Sequence, residues 1–228
     1  MTILKKKSII VIAIICIVLI IDQIVKVWVK TDFLIGEARP MVSNIIQFYF
    51  IENRGMAFGT TLGDGIWAKY VLSIFRFAAI IGIAIYIKRL IIENEVKMSF
   101  LITVALIFAG AAGNLIDGMF YDFAFGVDPS ISENWMLNEF NMPIYGTDGD
   151  IVLRESGFLL GSVVDMFQFT LTWPEWIPFG FDGKEIFPFI FNVADASISL
   201  GVAMIVLRYR HFFRKEKSTK SIEEGTIS

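Results

Sequence analysis

Four aspartates, Asp22, Asp117, Asp165 and Asp195, stand at the ends of apolar or strand-like stretches that are far apart in the chain. A carboxylate beside a membrane is costly in its charged form, so acids at or within apolar spans are candidates for function by default. Two carboxyl groups held close together can hydrolyse an amide without a metal or a covalent intermediate. Like charges resist joint ionisation, so one group keeps its proton as general acid while the other, ionised, activates a water. Such a pair titrates as a unit. Asp165 and Asp195 are the two expected to do this work. Asp22, one helical turn before Lys26, and Asp117 also suit plainer roles as helix caps or partners of a base.

Other chemistries lack their residues. The single histidine, His211, falls in a basic C-terminal stretch away from the polar clusters and reads as a solvated interfacial side chain. One distant histidine cannot build an H-E-x-x-H zinc site, nor serve as the base of a serine or cysteine protease. The lone cysteine, Cys16, lies in an apolar run and reads as a small buried hydrophobe with no partner for a disulfide. Neither a metal nor an organic cofactor is required.

The elements that must position the acids are set by composition. The chain has 228 residues, 55% of them hydrophobic, and a mean hydropathy of +0.64. That is too apolar for an ordinary soluble domain and suits a single membrane unit. Residues 8–29, 66–87, 99–116 and 188–209 are each long enough to cross a hydrocarbon core roughly 30 Å thick, which predicts four transmembrane helices. The first resembles a secretory signal segment, with Lys5, Lys6 and Lys7 ahead of an apolar run. It continues into Asp22 and Gln23 without a small-residue cleavage site, however, and is expected to be retained. Lys5 to Lys7, Lys88, Arg89, Lys97 and the bases from Arg208 to Lys220 would all fall on one side of the membrane. Basic flanks favour the cytoplasmic face, so both termini are expected there. The net charge of −3 then sums a basic rim and an acidic outer segment, and nothing supports nucleic acid binding.

Between the spans, residues 41–63 are rich in Ile, Phe and Tyr and end in glycines, and residues 157–172 include Val163, Val164, Phe167 and Phe169. Both read as strands of a small external sheet beside the helices. The fold class expected is therefore a mainly α membrane protein with a small external β-sheet. It forms one membrane-embedded domain over residues 1–215, with external β and loop regions at 30–65 and 118–187. Residues 122–155, polar and punctuated by Pro129, Pro143, Gly146 and Gly149, read as an inserted or flexible loop. Residues 216–228 read as a disordered cytoplasmic tail.

Five blocks carry a resemblance: D-Q-I-V-K at 22–26, N-R-G-M-A-F-G at 53–59, G-A-A-G-N-L-I-D at 110–117, G-S-V-V-D at 161–165 and F-N-V-A-D at 191–195. In this order they resemble the lipoprotein signal peptidases, the type II signal peptidase family of membrane aspartyl proteases. The resemblance implies removal of the signal peptide from prolipoproteins, just before a cysteine already carrying diacylglycerol. It implies Asp165 and Asp195 as the catalytic aspartates, an inner-membrane location and an active site toward the external face. The partners implied are prolipoprotein signal peptides and membrane lipid, the substrate entering laterally from the bilayer.

Asn192, one turn before Asp195, can orient a carboxylate or the scissile carbonyl. Asn53 and Asn114 are expected to add polar contacts, and Gly55 and Gly59 to let backbone approach substrate. Gly110 and Gly113 are expected to let their helix pack closely. Asp22 and Lys26 are expected to form a supporting ion pair.

Two departures stand out. Gly118 follows Asp117 where family members commonly have arginine, and Arg76, inside the second span, is the candidate replacement cation. The external segments are also longer than usual, and Trp173, Trp176, Phe179 and Phe181 there suit an interfacial belt or a lid. The alternative to an enzyme is an ion-coupled transporter or a non-catalytic scaffold with functional intramembrane acids; no inverted repeat favours the former. Tyr121-Asp122 and the run 146–150 imitate presenilin-type motifs but read as loop residues.

Overall fold

The computed structural model describes residues 2–43, 45–54, 66–93, 95–140, 142–176 and 183–213. Among these the order is α1 (Ile3–Asp32), β1 (Ala38–Val42), β2 (Ile46–Asn53), α2 (Ile66–Ile92), α3 (Met98–Phe125), β3 (Val163–Phe169), β4 (Ile190–Phe191) and α4 (Val193–Phe213). Three helices, α1, α2 from Lys69 onward and α3, are long and apolar enough to cross a membrane. Their outer faces leave Ile9, Ile12, Ile17, Ile24, Ile74 and Ile81 exposed, the pattern of helices solvated by lipid rather than by protein. Cys16 is exposed on this surface, not buried as the apolar run around it suggests.

The helices outrun the apolar windows. The third continues through Asp117 to Phe125 and stops at Gly126, whose φ of 71° suits glycine and whose N–H donates to the Asp122 carbonyl. Tyr121 and Asp122 are therefore helical rather than loop residues. The fourth begins at Val193, not at 188, because Ile190–Phe191 pair as a strand. Its apolar run is bracketed by Asp195, Arg208 and Arg210, and it is not among the three helices that meet the spanning requirement.

The strands form one antiparallel sheet in the order β1-β2-β3-β4. The strand expected over 157–172 shortens to Val163–Phe169. Register sets Asn53 opposite Val163, Ile51 opposite Asp165 and Phe48 opposite Phe167, with a bulge in β2 between Phe48 and Ile51. Alternation sends Val164 and Met166 into a core with Val29, Phe33, Phe50 and Tyr121, which fastens the sheet to the ends of α1 and α3. Asp165 faces the other way. A second core, with Val11, Ile87, Leu90, Phe100, Leu101 and Val104, joins α1, α2 and α3 at their opposite ends.

The region 122–155 is an ordered arm, contrary to the flexible loop expected. Trp135 pairs with Leu153, Leu137 with Pro143 and Tyr145 with Ile151. The Arg154 guanidinium grips Asp122 with two hydrogen bonds of 2.7 and 2.8 Å and donates a third, of 2.8 Å, to Asn134. Both ends of the arm are thereby tied to the last turns of α3.

Candidate active site

Asn192 follows β4 and caps α4. Its Oδ1 accepts from the Asp195 N–H at 2.8 Å, and the Asp195 carboxylate accepts from the Asn192 N–H at 3.3 Å. This is a capping box built from Asn and Asp, and it fixes Asp195 in the first turn. The Asn192 side-chain nitrogen points at β3, donating to Asp165 Oδ1 at 2.6 Å. Asn53 donates to Asp165 Oδ2 at 3.1 Å from β2. Asn114, on α3, donates to Asp195 Oδ1 at 2.8 Å. Three asparagines on three elements thus hold two carboxylates from two others, and one of them, Asn192, serves both acids.

Asp165 is 2% exposed. Burial, with the Asp195 charge beside it, raises its pKa to about 7 against hydrogen bonds from Asn53 and Asn192 that oppose the shift. Of a close carboxyl pair, Asp165 is the member suited to hold a proton at neutral pH.

Beneath the pair lies a second layer of charge. Lys26 Nζ sits 2.9 Å from Asp22 and 2.8 Å from Asp117, all three fully buried, and donates to Asn114 Oδ1 at 2.9 Å. Two acids on one base make the pair expected from the i,i+4 spacing into a triad. The remaining oxygens are satisfied: Asp22 Oδ1 accepts from the Ala194 N–H at 2.8 Å and Asp117 Oδ1 from Gln23 at 2.9 Å, while the Val164 N–H reaches Asp117 Oδ2 at 3.4 Å. Gln23 donates to both acids and accepts from the Tyr121 hydroxyl. Gln23 and Tyr121 are polar groups that sequence reasoning overlooked; a glutamine inside an apolar helix, next to Asp22, was the available signal.

The small residues permit this closeness. A Cβ on Gly110 would lie 2.2 Å from the Ala194 carbonyl oxygen, and one on Gly113 would lie 2.6 Å from an Asp22 oxygen. The α3–α4 contact expected of these glycines is present, and Gly113 also makes room for the ionic triad.

Arg76 is half-buried on α2. It shares a helix face with Ser73 and Lys69, which donate to the carbonyls of Leu159 and Leu160 just ahead of β3. Gly55 and Gly59, Phe179 and Phe181 lie outside the described residues; Trp176 is exposed. Among the described residues no three His, Cys, Asp or Glu side chains are grouped to hold a metal ion.

Comparison with known proteins places this arrangement. The family profile described as signal peptidase (SPase) II matches residues 14–211. The lipoprotein signal peptidase of Porphyromonas gingivalis is 36% identical over 227 positions, covering 94% of this chain and 89% of that one. That of Amoebophilus asiaticus is 33% identical, covering 84% and 73%. A bacterial membrane enzyme solved by the in meso method at 2.3 Å has a TM-score of 0.53 and 24% identity over 92% of this chain and 94% of its own, a likeness of fold. With a matching profile over most of its length and close relatives along nearly all of it, the chain belongs to the signal peptidase II family of aspartic membrane proteases.

Proposed function

We propose that Asp165 and Asp195 are the catalytic pair of a lipoprotein signal peptidase that cuts prolipoproteins just before a diacylglyceryl-modified cysteine. The observation that carries the assignment is the shared donor: Asn192 bonds Asp165 through its side chain and Asp195 through its backbone. Asp165, holding the proton, donates to the scissile carbonyl oxygen; Asp195 takes a proton from the attacking water. The water oxygen bonds to the carbonyl carbon, and the tetrahedral species collapses by expelling the amine of the cysteine, which carries away a proton. Asn114 and Asn53 hold the carboxylates at fixed orientation. Asp22, Gln23, Lys26, Asp117 and Tyr121 position rather than react.

Arg76 fits as the nearby cation in place of the arginine that Gly118 displaces, moderating the combined charge of the pair. A fourth crossing by α4, with the sheet and pair on the external face and both termini cytoplasmic, fits the placement of the bases along the chain. Residues 1–215 then make one domain, reached by its substrate from the lipid.

The test is cleavage of a diacylglyceryl-modified prolipoprotein by the purified protein beside Asp165→Asn and Asp195→Asn, each checked for folding. Loss of cleavage in both variants is the expected result. Persistent cleavage in either moves the chemistry elsewhere, and an inactive parent overturns the proposed substrate.

A further inference from the structure

The arm over 126–153 carries no base; its acids are Asp128, Glu133, Glu139, Asp148 and Asp150. Its surface also exposes large apolar side chains. Phe140 is 73% exposed, Tyr145 63% and Met142 55%. Side chains of this kind are not left in water without a partner when they are gathered on one projection.

Three observations say what the partner is. First, the end of the arm adjoins the membrane-facing surface: Phe158, just after the arm, packs edge-on against Phe120 of α3 at 6.3 Å, and Phe120 and Phe123 are themselves exposed on that spanning helix. Second, the Arg154–Asp122 pair roots the arm in the final turns of the same helix, at the level where a span leaves the hydrocarbon. Third, the arm's backbone is closed on itself. The Met136 N–H donates to Val152, Val152 to Ile144, and Ile144 back to Met136. Three segments bridged in this way bring these amides already paired into a low-dielectric layer, which lowers the cost of entry.

We infer that this arm lies in the bilayer interface as a monotopic anchor, with Phe140, Met142 and Tyr145 inserted among the headgroups and upper acyl chains. Glu139, Asp148 and Asp150 face the water, and with no Lys or Arg the insertion is apolar and needs no anionic lipid. The occupant of the exposed patch is lipid, not a protein partner. The inference rests on α3 crossing the membrane and is independent of the catalytic assignment.

The test uses the full chain carrying Cys16→Ser, with Phe140→Cys or Met142→Cys labelled by an environment-sensitive fluorophore, in phosphatidylcholine vesicles. Asp148→Cys serves as the water-facing comparator; thermal unfolding on the same samples shows that each labelled protein is folded, and prolipoprotein cleavage is measured beside it. Expected are blue-shifted emission at 140 and 142 and about a twofold loss of it to phosphatidylcholine bearing a shallow nitroxide, as for a helix or loop at the headgroup boundary. The label at 148 stays water-like, and added salt changes nothing. Water-like emission at 140 and 142 overturns the inference. So does shielding that the lipid nitroxide cannot quench, since that marks contact with protein. Cleavage failing while quenching holds counts against the catalytic assignment alone.

Discussion

Asn192 and Asp195 cap one another: each accepts a hydrogen bond from the backbone N–H of the other, at 2.8 and 3.3 Å. The residue that starts α4 is thus also the one whose side chain reaches Asp165. Geometry of the helix end and geometry of the carboxylate pair are a single property.

Replacing Asn192 with Ala therefore has two effects. Stability falls by about 1 kcal/mol from the lost cap. Turnover falls further, by at least about tenfold, because Asp165 loses a fixed donor and the Asp195 N–H loses the side-chain acceptor that seats it. Asn192→Ser restores most of the cap and little of the turnover. Thermal unfolding in detergent beside single-turnover cleavage separates the two.

The raised pKa of Asp165 predicts a pH dependence of stability. A carboxyl whose pKa climbs from 3.8 to about 7 on folding holds its proton in the native state where the unfolded chain has released it. Its favourable contribution is complete below pH 3.8 and is lost as pH rises through 7, a matter of a few kcal/mol at most. Asp165→Asn lacks this slope. It carries a constant offset instead, because one of its amide atoms must face a donor from Asn53 or Asn192. Unfolding midpoints at pH 4 and pH 8 should shift in favour of the variant at the higher pH. Cleavage by the parent should fall as pH rises past about 7, when the pair loses its shared proton.

Lys26→Met leaves two buried acids facing each other without their base. A broken buried ion pair costs about 3–5 kcal/mol, and here two pairs are lost together with the bond to Asn114. The expected result is a chain that is difficult to purify in folded form. Adding Asp22→Asn and Asp117→Asn should recover folding measurably.

Gly110→Ala tests how tightly α4 must seat. The new methyl lies 2.2 Å from the Ala194 carbonyl, a backbone atom next to Asp195. Shifting α4 by an ångström displaces Asp195 and should lower turnover by about a hundredfold. Gly82→Ala, whose methyl meets nothing, should leave cleavage unchanged.

Arg76→Leu should reduce activity and shift its pH profile upward, since a nearby cation favours ionised carboxylates. Arg76→Lys should restore part of both. A variant that keeps full activity, stability and the same profile removes Arg76 from the site.

Much of the site is legible in the chain because its residues are expensive where they stand. An acid or a lysine within an apolar run announces itself, which is how Asp22, Lys26, Asp117 and Asp195 are found without coordinates. Asp165 needed the strand pattern around it, and the asparagines needed either helical spacing, as for Asn192, or resemblance. What stayed hidden was contact between distant elements. Gln23 and Tyr121 carry no charge to mark them, and Asp122 looks like loop until Arg154, 32 residues later, is seen to hold it. Helix ends were misplaced where polar residues were satisfied inside the fold and so did not end the helix. The arm is the clearest miss: Asp148-Gly149, between Tyr145 and Ile151, is a turn signal between pairing strands, and it was outweighed by the polarity of its surroundings.

The hydrogen bond from the Ala194 N–H to Asp22 joins the first helix of the chain to the last. During synthesis α1 and α3 meet first, and Lys26 can settle between Asp22 and Asp117 while one oxygen of Asp22 still waits for its donor. That donor is supplied only when the residues around 194 emerge from the ribosome, and they bring Asp195 with them. On the proposed assignment, the carboxylate pair is complete only once the final helix has docked.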